Sequence, residues 1–164
     1  MGIANYCPDD VTCLIWGKLV VDGYVDGTFI DIEKDVQPST AVRTPDGTVA
    51  RVKNTDNTYT IRMTLHNGST ANEVLTKLWQ VDDLTGGRFK FPMFVKDHSG
   101  TDLFFSTSTW IESPPTLSKS ASVDGRTWTF RSAFATINIG GNGDVSDLIE
   151  DLTNSILSGI GGLA

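Results

Sequence analysis

The sequence predicts a mainly β protein: two packed antiparallel sheets in a β-sandwich or barrel-like fold, with one flanking α-helix and a second helix at the C-terminus. Three observations point there. Short segments with apolar residues on alternate positions recur along the chain. Turn pairs such as Asp22-Gly23, Asp26-Gly27, Asp46-Gly47, Ser99-Gly100 and Asp124-Gly125 separate them. Apolar residues at helical spacing occur in only two places, one internal and one terminal.

In chain order, Val11 to Trp16 and Leu19 to Val21 are apolar on both parities, which predicts strands buried on two faces. In Thr28 to Lys34, Ile30 and Ile32 share one face, and Asp31 and Glu33 share the other. The stretch Asp35 to Asn57 is polar and Thr-rich, too polar for a core strand and too long for a simple connection. It predicts a protruding hairpin that turns at Pro45-Asp46-Gly47, with Val36, Val42, Arg43, Val49 and Arg51 along its arms. Tyr59, Ile61, Met63 and Leu65 then alternate with polar neighbours.

Thr70 and Glu73 have the spacing of a capping box, so a helix is expected over about 70–82. Its apolar stripe is Ala71, Val74, Leu75 and Leu78, and Asn72, Glu73, Thr76, Lys77 and Gln80 face away from it. Phe89, Phe91, Met93 and Val95 share one parity; Pro92 among them implies an edge strand or a bulge. Arg126 to Ile139 is the longest strand candidate. Its apolar face switches between Phe134 and Ile137, so a bend there lets one strand serve both sheets. Gly140-Gly141-Asn142-Gly143 reads as a hinge before a helix starting at Asp144, with Leu148, Ile149, Leu152 and Ile156 on one face and fraying expected from Gly159. The organisation is a β domain over 1–142 and a C-terminal extension over 143–164.

The 164 residues are enough for one domain with its own core. The composition, 39% hydrophobic and 20% charged, is that of a globular chain. No run approaches the ~18 apolar residues of a membrane span, and the first residues have neither the basic nor the apolar region of a signal peptide. Reduced thiols are therefore expected at Cys7 and Cys13, and membrane binding by the chain itself is not. The formal net charge of −7 has the wrong sign for gripping nucleic acid, where affinity comes mainly from neutralising phosphates.

Candidate chemistry is sparse. His66 and His98 stand beside turns with no paired motif, and the cysteine spacing is not that of a zinc site. Asp9-Asp10 and Asp82-Asp83 are adjacent acids whose side chains diverge. Trp16, Trp79, Trp110 and Trp128 are better suited to packing than to a sugar platform. No phosphate loop, nucleophile elbow or dinucleotide fingerprint occurs. The expectation is a structural, non-enzymatic protein with no cofactor and no metal.

The run Phe91-Pro92-Met93-Phe94-Val95-Lys96-Asp97-His98-Ser99-Gly100-Thr101 resembles a segment of the tail tube proteins of contractile-tailed bacteriophages. So do Trp110 to Pro115, Arg126 to Arg131 and Gly140-Gly141-Asn142, with the capped helix placed before them in the same order. The resemblance covers roughly 13–142 and departs after Gly143, where this chain is longer.

It implies hexameric rings that stack into an inner tail tube conducting DNA from capsid to host. The implied partners are further copies of the chain, the sheath protein, the baseplate hub, the tail terminator, the tape-measure protein and transiting DNA. The last two would occupy the lumen without specific binding. The implied location is the virion tail, after assembly in the host cytoplasm. On this reading Asp31 and Glu33 are lumen candidates. Val36, Val42, Arg43, Asp46, Val49 and Arg51 belong to a ring-stacking hairpin, and Asn72, Glu73, Thr76, Lys77 and Gln80 to a sheath-facing helix side. Two alternatives stand beside it: a lectin-like or decoration β-sandwich that binds as a monomer or small oligomer, and the tube of a phage-derived bacteriocin or injection system.

Overall fold

The computed structural model describes residues 7–122, 124–141 and 146–161. The start at Met1 to Tyr6, the second half of the predicted glycine hinge, the predicted helix start at Asp144 and the last three residues lie outside the described residues. The protein is mainly β, with two antiparallel sheets, one internal helix and one C-terminal helix. The strands are β1 (Val11–Ile15), β2 (Leu19–Val21), β3 (Ile30–Lys34), β4 (Ser39–Arg43), β5 (Val49–Lys53), β6 (Tyr59–His66), β7 (Phe91–Asp97), β8 (Leu103–Ser113), β9 (Gly125–Ser132) and β10 (Ala135–Asn138). Helix α1 is Ala71–Leu84 and helix α2 is Ser146–Gly161.

The large sheet runs β2-β1-β7-β8-β9-β6-β3, with β10 also on β8, and the small sheet is the β4–β5 hairpin. Strand β8 joins the two halves of the large sheet. Its first half pairs with β10 and its second half with β9, in one register as far as Ile111: Phe104 opposes Ile137, and Ile111 opposes Phe130, before a bulge shifts the pairing at Ser113. The break between β9 and β10 falls at Ala133 and Phe134, next to the predicted parity switch. Each half thus forms one wall of a single core, in which Phe91 meets Phe130 and Tyr59 meets Phe104, both edge-on. Ile15, Ile61, Met63, Leu65, Leu75, Met93 and Trp128 complete it. Burying each large apolar side chain contributes roughly 1.5–3 kcal/mol before the entropy of ordering it.

Local chemistry explains the connections. The β1–β2 turn places Trp16 and Gly17 at φ 56° and 65°, the left-handed pair of a tight hairpin. The β1–β2 strands are buried on one face only: Cys13, Ile15 and Val21 are inside, whereas Val20 is exposed and Leu14 half-buried. Pro92 lies in β7, between β1 and β8, so it is not on an edge. The register shift between Phe91 and Met93 supplies the bulge it needs, and its carbonyl accepts from the Trp16 N–H at 2.9 Å.

Helix α1 starts without the predicted capping box, since Thr70 is itself helical and makes no side-chain cap. Ser69 takes that place: its Oγ accepts from the Ala71 N–H at 3.3 Å and donates to the Asp22 carbonyl at 2.8 Å. The helix ends at Gly86 and Gly87, whose amides bond back to Asp83 and Asp82 in a Schellman arrangement.

The predicted hinge is pinned at its start. The Gly140 N–H donates to Asp102 Oδ1 at 2.6 Å, and a Cβ on Gly140 would fall 1.6 Å from Thr101 Oγ1. Glycine is needed there for close approach. Helix α2 continues to Gly161, past the predicted fraying at Gly159.

Candidate assembly surfaces

Three exposed surfaces carry the residues predicted to matter. The first is the outer face of β3, β6 and β9. Ile30 and Ile32 turn inward, and Asp31 and Glu33 are exposed on the other side, as alternation requires. Both carboxylates approach one cation: Arg62 Nη1 lies 3.5 Å from Asp31 Oδ2 and 3.5 Å from Glu33 Oε2. A second cluster adjoins it. Arg131 donates from Nε to Glu112 Oε2 at 2.8 Å and from Nη1 to Asp35 Oδ2 at 3.1 Å. The hydrogen bond to Glu112 holds the Arg131 guanidinium above its ordinary pKa. Asp35 also accepts from the Thr60 hydroxyl. Four carboxylates therefore share two guanidiniums, and the face stays net negative while its charges are largely paired.

The second surface is the β4–β5 hairpin, exposed almost throughout. Its tip follows the predicted turn: Gly47 has φ 86°, and Asp46 Oδ1 accepts from the Thr48 N–H at 3.0 Å and from the Thr44 hydroxyl. These bonds, that from Thr44 first, hold the Asp46 carboxyl below its ordinary value. The pairing of Val42 with Ala50 and of Thr40 with Val52 makes one face apolar. The other face groups Arg43, Val49, Arg51 and Lys53. Val36 is half-buried, before the first arm begins.

The third surface is the outer side of α1. Glu73, Lys77 and Gln80 are exposed there, with Lys77 Nζ 3.7 Å from Glu73 Oε1. Thr76 is half-buried and donates to the Asn72 carbonyl at 2.7 Å. Asn72 does not belong to this side. It is buried, its Oδ1 accepts from Trp128 Nε1 at 2.9 Å, and its Nδ2 donates to the carbonyls of His66 and Ser69. A buried indole N–H needs an acceptor, and Asn72 takes the core position that spacing had assigned to Val74, which is 39% exposed.

A fourth surface carries none of the site residues named from the sequence. On the outer side of the other wall, the register aligns Val20, Leu14, Phe94 and Phe105 across β2, β1, β7 and β8. Val20 is 58% and Phe105 41% exposed, and the two phenylalanine rings lie 6.3 Å apart. The signal was the apolar residue on both parities of β1, β2 and β7.

No protein-family model matches the sequence. The chain is 27% identical over 159 residues to the structural protein ORF10 of Pseudomonas phage KPP10, covering 93% of this chain and 92% of that protein. Its fold is like that of the anti-feeding prophage tube-terminating cap, with a TM-score of 0.55 at 12% identity, over 84% of this chain and 93% of the cap. Along nearly its whole length, then, this chain is similar to a phage structural protein, and it shares the fold of a tube-terminating cap.

Proposed function

We propose that this chain is a structural component of a phage-type tail, which assembles with copies of itself into rings of the tail tube and catalyses no reaction. The observation that carries the reading is the contrast between the outer faces of the two walls. One is charged, ion-paired and at ease in water. The other presents aligned apolar side chains that favour protein cover. A subunit in the wall of a conduit needs both kinds of face. Similarity to a phage structural protein along the chain supports the virion role, and the fold shared with a tube cap supports the tail.

On this reading six copies close a ring, the β4–β5 hairpin bridges successive rings, and the outer side of α1 at Glu73, Lys77 and Gln80 meets the sheath. The Asp31–Arg62–Glu33 face borders a lumen that passes DNA without holding it. Assembly takes place in the host cytoplasm, and hub, terminator and tape-measure proteins are the further tail partners. A second reading, a single ring that closes the tube, is favoured by the likeness in fold to a terminating cap.

Negative-stain microscopy and mass measurement of the purified chain test both readings. Stacked tubes support the tube subunit, and isolated rings support the cap. Replacing 37–55 with a short Gly-Ser turn should leave rings and abolish stacking. Contacts of this kind usually bury upwards of ~2,000 Å², so a chain that stays monomeric at every concentration and at low salt overturns the proposal.

A further inference from the structure

The two ends of strand β6 carry surfaces of opposite charge. At its Tyr59 end the β4–β5 hairpin leaves the body: Lys34 pairs with Tyr59, and the Asp35 N–H donates to the Thr58 carbonyl at 3.0 Å. At its other end the 22–26 loop is held in place. Tyr24 bridges Leu65, the His66 N–H donates to the Gly23 carbonyl at 2.7 Å, and the Ser69 hydroxyl donates to the Asp22 carbonyl at 2.8 Å. From Tyr59 to Leu65 the strand rises about 20 Å.

The hairpin is basic. Residues 39–53 hold three cations and one acid, +2 in a chain of net −7, so the rest of the chain sums to −9. One face of the ribbon groups Arg43, Arg51 and Lys53 around Val49, and the acid, Asp46, is engaged at the tip by Thr44 and Thr48. The loop end is acidic. Asp9, Asp22 and Asp26 are exposed and line a cleft of about 470 Å³, whose walls include Val20, Val25 and Phe29 and no Lys or Arg. Among the described residues, neither these three acids nor the three hairpin cations enter an ion pair, whereas Asp31, Glu33, Asp35 and Glu112 already share Arg62 and Arg131.

We infer that the Arg43–Val49–Arg51–Lys53 face of one copy's hairpin docks in the Asp9–Asp22–Asp26 cleft of a second copy in the next ring. The inference deepens the reading of the chain as a stacking subunit and rests on it: it names the surface that receives the hairpin. Cations meet unpaired carboxylates, and Val49 meets the apolar wall of the cleft. Because the two surfaces lie at opposite ends of β6, the contact is head-to-tail and repeats in one direction, which builds an open stack. Charge also sets the polarity of the stack, since hairpin against hairpin or cleft against cleft would oppose like charges.

The test uses the full chain, assembled from equal parts of isotope-labelled and unlabelled protein. A carbodiimide, which joins an amine directly to a carboxylate, should link Lys53 of one copy to Asp9, Asp22 or Asp26 of another, as read by mass spectrometry. Links from Lys53 to other acids instead, such as Glu150 or Asp151, overturn the inference, and so do stacks in which Lys53 forms no link. Charge reversal gives a second readout. Arg43→Glu with Arg51→Glu should reduce stacked tubes roughly tenfold or more and leave rings, and Asp22→Lys with Asp26→Lys should do the same. All four changes in one chain should restore stacking, because the pairs re-form with their signs exchanged. Stacking untouched by either reversal overturns the inference, as does failure to recover in a combined variant that still forms rings. Rings that stack regardless leave the tail reading standing without this contact. Chains linked from Lys53 to the cleft without rings keep the contact and remove the tube.

Discussion

Trp128 Nε1 donates to Asn72 Oδ1 at 2.9 Å, and this bond ties helix α1 to the middle of the large sheet. Both residues are buried. Removing the acceptor leaves an indole N–H with no partner in a dry site, which costs about 1–3 kcal/mol. Asn72→Ala should therefore lower stability by that order in chemical denaturation. The double variant Asn72→Ala, Trp128→Phe should cost less than the two single changes added together, because the orphaned donor is gone. Strict additivity would show that the bond contributes nothing.

Cys7 is exposed, whereas Cys13 is buried in β1, and burial pushes the Cys13 thiol up to about 12. Only the thiolate reacts, so at neutral pH the native chain should take up one equivalent of a thiol reagent, at Cys7. The second equivalent should appear only on denaturation. Rapid labelling of Cys13 in the native chain would mean that β1 opens locally.

Much of this was legible because a single period governs long stretches. Ile30 to Lys34 alternate cleanly, and so does β6 from Ile61 to His66, so their inner and outer faces follow from parity; Thr60 alone is buried against its outward parity. Strand β8 was not legible. Its inward positions include Ser106 and Thr109, so the apolar alternation breaks, and the pairing with β9 is shifted by a bulge near Ile111. The buried Ser106 is tolerated because its Oγ bonds the Ser132 hydroxyl and the Phe134 carbonyl, partners brought by a strand more than twenty residues away. Asn72 escaped for the same reason: its burial is set by Trp128, and no local pattern reports that. The Arg62 cation between Asp31 and Glu33 was likewise hidden, since it arrives through the register of β3 with β6.

The exposed pair Glu73–Lys77 gives a clean probe of α1. At 3.7 Å and largely in solvent, such a pair contributes only about 0.3–0.5 kcal/mol. Exchanging the two residues, Glu73→Lys with Lys77→Glu, keeps a pair and reverses the pattern shown to a partner. The unfolding temperature should stay within about 1–2 °C. Sheath assembly on tubes built from this variant should weaken. Sheaths of normal length and number would make this side of the helix plain solvated surface.

The hairpin tip should resist mild acid. Asp46 has its pKa lowered on folding, first by the Thr44 hydroxyl and then by the Thr48 amide. A carboxyl with a lowered folded value contributes its stabilisation above the unfolded value and loses it as pH falls through the folded one. The Thr48 amide resonance should thus titrate with a midpoint below that of a free aspartate, and Asp46→Asn should abolish the titration. Ring stacking, if the hairpin carries it, should persist at pH 5 and fail only in stronger acid. A midpoint at or above the ordinary aspartate value would remove Asp46 as the tip's anchor.

The Asp31–Arg62–Glu33 cluster sets the charge that a lumen would show to DNA. Two carboxylates around one guanidinium leave one net negative charge per subunit at this point. Repetition around a ring makes a weakly repulsive band, and screening over ~8 Å at physiological salt confines its effect to DNA near the wall. Replacing Asp31 and Glu33 by lysine would put three cations side by side. Each one able to neutralise a phosphate would create a well along the path, and such wells deepen steeply as salt falls. Because the residues are exposed and outside the core, the double variant should fold and form tubes. Phage carrying it should deliver their genomes more slowly, most visibly at low salt. Arg62→Gln should have the opposite sign: it removes the cation, leaves the repulsive band stronger and should not slow delivery. Normal delivery by the lysine variant at low salt would place this face outside the channel.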